Sequence, residues 1–138
     1  MTEHDKEEEK KLLNQLNAME RDGLIKKQEI ELQVEGIRQQ RNDFSNVSYK
    51  GTEKTVMKKL KAVSNEHRIR IVLLLQKGAI CSCEVEYALN LSQPTVSHHL
   101  KILEDAGIIE YEKSGKWKLI KLVETNLINW IFNQFKKE

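Results

Sequence analysis

Two helical stretches meet across the three residues Asn90-Leu91-Ser92, and no other feature of the chain limits its possible folds so tightly. On the near side, residues 82–89 turn Val85, Ala88 and Leu89 toward a core and stop at Asn90, a residue type that tolerates the left-handed backbone. On the far side, Ser92 suits a helix N-cap. Pro94, the chain's one proline, falls in the first turn, where its missing N–H leaves no hydrogen bond unmade. Val96, Leu100 and Leu103 form the inward stripe of this second helix, and Gly107 ends it. A connection this short cannot pass for a flexible loop, so the two helices form a fixed corner.

The segments around the corner complete a small domain. After Gly107 the period changes from helical to extended, through 108–112, the turn Lys113-Ser114-Gly115 and 116–122, which predicts a β-hairpin. Upstream, 52–63 predicts a helix with Val56, Leu60 and Val63 on one face. A further helix opens near Ser64-Asn65, carries Ile69, Val72, Leu73 and Leu75, and stops at Gly78. A last helix over 125–136 carries Leu127, Ile128, Trp130, Ile131, Phe132 and Phe135. That is more apolar surface than one small domain covers, so a second copy is expected against it. The fold class is therefore mostly α with a small β-hairpin wing, a winged helix-turn-helix domain over 49–138.

Residues 1–48 read differently. Strong helix formers run from about 3 to 41 without proline, giving an amphipathic, coiled-coil-like arm. Its heptad seam is Leu13, Leu16, Glu20, Gly23, Lys27, Ile30, Val34, Ile37, Arg41 and Phe44. The seam fails at Asp22-Gly23, where glycine costs about 1 kcal/mol relative to alanine inside a helix. Either the arm folds back there as a hairpin, or one weak-centred helix pairs with another chain. Turn-forming residues over 42–51 predict a linker.

Charge divides the same way. Positions 1–43 hold 8 Lys and Arg against 11 Asp and Glu, a net of −3, and the rest holds 15 against 10, a net of +5. The basic C-terminal part suits an acidic partner such as double-stranded DNA. With 39% hydrophobic and 32% charged residues the chain has material for both a core and a soluble surface. No apolar run approaches the roughly 18 residues that cross a bilayer, and the start has no apolar signal stretch, so a cytoplasmic location without membrane contact is expected. There is no phosphate-binding glycine loop, no protease-type histidine pair and no nucleophile with base and orienting carboxylate, which argues against an enzyme.

The run Leu91-Ser92-Gln93-Pro94-Thr95-Val96-Ser97-His98-His99-Leu100-Lys101-Ile102-Leu103-Glu104-Asp105-Ala106-Gly107-Ile108-Ile109 resembles the recognition segment of the ArsR/SmtB family of repressors. Ser64-Asn65-Glu66-His67-Arg68-Ile69-Arg70-Ile71, Cys81-Ser82-Cys83-Glu84 and Ser114-Gly115-Lys116-Trp117 agree with it, over roughly 52–135. The resemblance implies a homodimeric transcriptional regulator, a repressor, reading DNA through the second helix of the corner and the wing. A different reading, a protein-docking module whose arm binds a protein partner, stays open, because fold alone does not fix function.

At about 100° per residue, Val96 pointing inward puts His98 and Lys101 on the outward face, with Thr95 and Ser97 beside it and His99 turned toward the core. Ser92, Gln93, Thr95, Ser97, His98 and Lys101 are therefore candidate DNA contacts, joined at the wing by Lys113, Ser114 and Lys116. No catalytic residue or organic cofactor is expected.

Cys81 and Cys83 stand where the resemblance implies a site for a thiophilic ion: arsenite, antimonite, Zn or Cd. No third cysteine exists, the last helix has no histidine for a zinc-type site, and zinc generally takes four ligands. Residues two apart on an ideal helix point about 200° apart, so both sulfurs reach one ion only if the helix start unwinds or a second subunit contributes. A disulfide across one residue is expected to strain the helix. Metal ligation, thiol redox sensing and an inert pair all remain open.

Overall fold

The computed structural model describes residues 1–136, so the last two positions of the expected 49–138 domain lie outside the described residues. The chain divides into two compact units, Met1–Gly51 and Thr52–Glu138.

In the first unit, α1 (Glu3–Arg21) opens with a capping box. Thr2 Oγ1 accepts from the Asp5 backbone N–H, and the Asp5 carboxylate accepts from that of Thr2, satisfying two donors that a helix start leaves free. The chain reverses at Gly23, whose φ of +79° lies in the region that glycine enters at little cost, and returns as α2 (Lys27–Phe44). The hairpin alternative is the one that forms. Leu16, Ile30 and Val34 are buried, with Leu12, Leu13 and Ile25 packed on them. The outer part of the heptad seam does not close: Ile37 and Phe44 are exposed, and Arg41 pairs with Asp5.

The linker expected over 42–51 is mostly helix. Asn46 Oδ1 accepts from the backbone N–H of Ser48 and Tyr49, and α3 (Val47–Val63) starts there despite Gly51. A good cap outweighs a few weak helix formers.

In the second unit, α4 (Glu66–Leu74) is capped by Asn65, whose Oδ1 accepts from the N–H of His67 and Arg68. A 3-10 turn, Leu75–Lys77, follows. The helix-turn-helix is α5 (Ser82–Leu89) and α6 (Gln93–Asp105), joined through Asn90 at φ 52°, ψ 51°. The wing is β1 (Ile109–Ser114) antiparallel to β2 (Trp117–Leu122), with Ser114 opposite Trp117 across the tip. The chain then forms α7 (Asn126–Gln134), capped by Thr125 and shorter than the expected 125–136.

The core joins every layer of this unit. Ile71 and Val72 from α4, Val85 from α5, Val96, Leu100 and Leu103 from α6, Ile109 and Ile120 from the wing, and Ile128 and Ile131 from α7 are all buried together. Two inward assignments fail. Val56 and Leu60 are about half exposed, and Ala88 is exposed because only Val85 of α5 reaches the core fully. Among the described residues no helix is long and apolar enough to cross a membrane.

Candidate nucleic-acid interface and cysteine pair

Helix α6 separates its faces as the 100° rule requires. Val96, His99, Leu100 and Leu103 are buried, whereas Ser92, Gln93, Ser97, His98 and Lys101 are exposed and Thr95 is half-buried. The helix start is held by local bonds. Ser92 Oγ caps the Thr95 N–H at 3.4 Å and meets Thr95 Oγ1 at 2.8 Å. Gln93 Nε2 donates to Ser97 Oγ at 2.7 Å. These groups are short and pre-ordered, and they converge on the first two turns, the part of a recognition helix that faces base edges.

Lys101 lies a turn farther on and is paired with Asp105 at 2.9 Å. The hydrogen bond to Asp105, with its charge, holds the ammonium above the ordinary lysine range. Its positive charge is thus constant and is already paired with a carboxylate.

At the wing, Lys113, Ser114 and Lys116 are all exposed around the tip, where Gly115 takes φ +60°. Lys116 Nζ sits 5.3 Å from the centre of the Trp117 ring, and Lys118 Nζ 4.0 Å from that of Tyr111. Trp117, 60% exposed, and Tyr87 on α5, 91% exposed, are two aromatic groups that the sequence reading does not single out as contacts. For Tyr87 the signal was present: two residues from inward Val85, it must point away from the core.

The two sulfurs meet, contrary to the ideal-helix expectation. Cys81 is not in the helix at all: it is the N-cap residue of α5, with extended backbone at φ −87°, ψ 161°, while Cys83 is in the first turn. This brings their Cα atoms to 5.4 Å, and a disulfide joins the side chains without displacing the helix from Ser82 onward. Glu84 Oε1 lies 3.5 Å from Cys81 Sγ. One residue upstream, Ile80 exchanges both backbone hydrogen bonds with Ile120 of β2, at 3.0 and 2.7 Å. The pair therefore sits at the junction of wing and helix-turn-helix.

The profile of the bacterial regulatory proteins of the arsR family matches residues 65–111, from the cap of α4 into β1. An HTH-type transcriptional regulator of Methanocaldococcus jannaschii is 40% identical over 65 residues, which are 46% of this chain and 73% of that protein. The chain belongs to the arsR family. The arsenical resistance operon repressor of Escherichia coli is 43% identical over 58 residues, 41% of this chain and 50% of its own length. The chain spans about half the length of the arsenic and cadmium resistance regulators it matches. Among solved structures, the transcriptional repressor BigR from Xylella fastidiosa superposes with a TM-score of 0.56 at 27% identity, covering 66% of this chain and 96% of that one.

For an arsR-family chain the donors around Cys81 and Cys83 need to be tested against a metal. Among the described residues no three His, Cys, Asp or Glu side chains are placed so that they could hold a metal ion. That does not fit a closed zinc or cadmium centre built within one chain, which wants about four ligands. The pair offers two sulfurs and no more.

Proposed function

We propose that this chain is a homodimeric, cytoplasmic repressor that reads operator DNA with α6 and the β1–β2 tip, and that the Cys81 and Cys83 dithiol sets whether the operator is held. The observation that carries the reading is the outward face of α6, where Gln93, Ser97, His98 and Lys101 stand exposed beside a capped, pre-ordered helix start. Such side chains match base edges and phosphates, and the lysines at the wing tip add backbone contacts. Apolar surface left open on α3 (Val56, Met57 and Leu60) and on α7 (Trp130 and Phe135) supports a second copy of the chain. A dimer presents two such helices to half-sites about one DNA turn, roughly 34 Å, apart.

The reduced dithiol is the resting form in a reducing cytoplasm and is assigned to the operator-bound state. A peroxide takes two electrons and two protons from Cys81 and Cys83, closing the disulfide and leaving water and an alcohol or a second water. Closure fixes the residue that follows the Ile80–Ile120 bridge and precedes the first turn of α5, so strand and helix both feel it. A second reading rests on the same two sulfurs and on the arsenical resistance regulators among the relatives. Arsenite or antimonite would be chelated by both thiolates in place of the disulfide.

The test is binding to DNA fragments from upstream of the chain's own coding region, with reduced protein, then with peroxide, arsenite, Zn²⁺ or Cd²⁺, and with the Cys81→Ser, Cys83→Ser variant. Specific binding by the reduced protein, released by peroxide or arsenite and unresponsive in the variant, is the expected result. The agent that releases it names the signal. Binding no tighter than to bulk genomic DNA overturns the DNA reading, and release that persists in the variant overturns the role of the cysteines.

A further inference from the structure

His99 is the one buried polar side chain among the described residues, and it lies on the recognition helix, 8% exposed. Its Nδ1 sits 3.2 Å from a terminal nitrogen of Arg68. A guanidinium only donates, so Nδ1 must be the acceptor and the ring proton must lie on Nε2. The same guanidinium also ties to the end of α3, donating from Nε to the Ala62 carbonyl at 2.6 Å and from its other terminal nitrogen to that of Lys61 at 3.4 Å. One side chain of α4 thus fastens the middle of α6 to α3. The far end of α6 is fastened separately, by Lys59 Nζ donating to the carbonyl of its C-cap residue Ala106 at 2.9 Å.

Only the first of these fastenings depends on a neutral imidazole. We propose that Arg68 and His99 form a proton-sensitive latch that positions the recognition helix, so that operator binding weakens as the medium becomes acidic. This rests on the DNA-reading role proposed above. A proton on Nδ1 removes the acceptor and sets a second cation against the guanidinium. Among the described residues no carboxylate acts on the ring to compensate. The charges acting on His99 are Arg68 and His67 from α4 and His98 from its own helix, all of one sign when protonated, with no carboxylate among them and no group from α5 or β1. The His67 ring centre is 5.3 Å away and that of His98 5.5 Å, and His67 Nδ1 is itself buried without a hydrogen-bond partner.

Burial first, then Arg68, His67 and His98, hold His99 below its ordinary value of 6.5. The sign follows from that direction. Released from the latch, the ring regains ordinary proton affinity and binds more protons than the docked ring, so lowering the pH favours release. The loss sets in as pH falls through 6.5 and levels off below the docked value; above 6.5 binding is flat.

The experiment measures operator affinity of the full chain at about pH 7.5 and about pH 5.5 at fixed ionic strength, where histidine is the side chain that changes charge. Wild type is expected to bind more weakly at the lower pH, by at most about tenfold per recognition helix, the limit for a ring whose free value is 6.5. His99→Gln, whose amide oxygen still accepts from Arg68 but gains no proton, is expected to bring the ratio between the two pH values close to one. His98→Gln is expected to keep the loss, because the hydrogen bond from Arg68 is accepted by His99 and not by His98. An unchanged ratio in His99→Gln overturns the latch. If that variant does not fold, or if no fragment is bound, nitrogen NMR of the wild-type ring decides independently of DNA. An Nε2–H tautomer that protonates below the ordinary histidine range supports the latch, and a proton on Nδ1 at neutral pH overturns it.

Discussion

The two units of the chain are both mainly helical but are held together by different means. Met1–Gly51 has 19- and 18-residue helices and buries Leu16, Ile30 and Val34 between them. Thr52–Glu138 uses shorter helices and buries side chains from every element, from Ala62 to Ile131. The first unit adds end caps and surface ion pairs: the Thr2 and Asp5 box, Arg38 with Glu9 and Glu35, and Arg41 with Asp5. Helix length does not measure stability; burial of an amphipathic face does. The outward side chains of α6 are carried by the unit with the larger buried core.

The largest expected effect tests that contrast directly. Leu103 is fully buried beneath the recognition helix, and Leu103→Ala is expected to cost about 4 kcal/mol through lost transfer and the cavity left behind. Both tryptophans, Trp117 and Trp130, lie in the second unit, so their fluorescence during urea unfolding reports that unit, while circular dichroism reports both. In the first unit, Leu16→Ala is expected to cost only about 2 kcal/mol, the low end for such truncations, because a core this small opens to water rather than trapping a void. It is read as lost helical circular dichroism at unchanged tryptophan signal. Equal costs at the two leucines would break the comparison.

A smaller effect sits at the corner. Asn90 holds the left-handed backbone between α5 and α6. Asn90→Ala is expected to destabilise by about 1 kcal/mol and Asn90→Gly to be neutral, since a Cβ without a local hydrogen bond is what that region disfavours. Urea midpoints of the pair decide it, and equal midpoints for Ala and Gly would show that the turn takes its shape from packing alone.

How much of this was legible beforehand follows from what each signal depends on. Helix ends with a dedicated residue were plain: Asn65 and Ser92 cap, and Asn90 and Gly107 stop. The opposite fates of His98 and His99 followed from angle alone. The meeting of Cys81 with Cys83 did not, because the 200° separation of an ideal helix does not hold at Cys81, which is the N-cap and keeps extended backbone. The helix beginning at Val47 was hidden by Gly51 and the turn formers around it, which a single Asn46 cap overrides. The tie from Arg68 to His99 spans 31 positions and leaves no local pattern. Nor could periodicity tell that Val56 and Leu60, correctly spaced for an inward stripe, stay about half exposed. Spacing reports that a face is apolar, not what covers it.

The smallest effect concerns the ion pairs of the hairpin. Arg38 reaches Glu9 on α1 and Glu35 on its own helix, and the Glu9 hydrogen bond and charge are the leading reasons its guanidinium is held more firmly protonated than usual. All three side chains keep substantial contact with solvent, and exposed pairs of this kind give back in side-chain entropy most of what they gain in attraction. Arg38→Ala is therefore expected to leave the tryptophan-reported unfolding unchanged and to lower helical circular dichroism slightly at low salt. The difference from wild type should vanish near about 1 M salt, where the screening length falls to about 3 Å. If Arg38→Ala instead unfolds the hairpin at every salt concentration, as Leu16→Ala is expected to do, then the pair acts by packing its aliphatic stem across α1 and α2 rather than by charge. The first unit would then be built more like the second than its short list of buried residues implies.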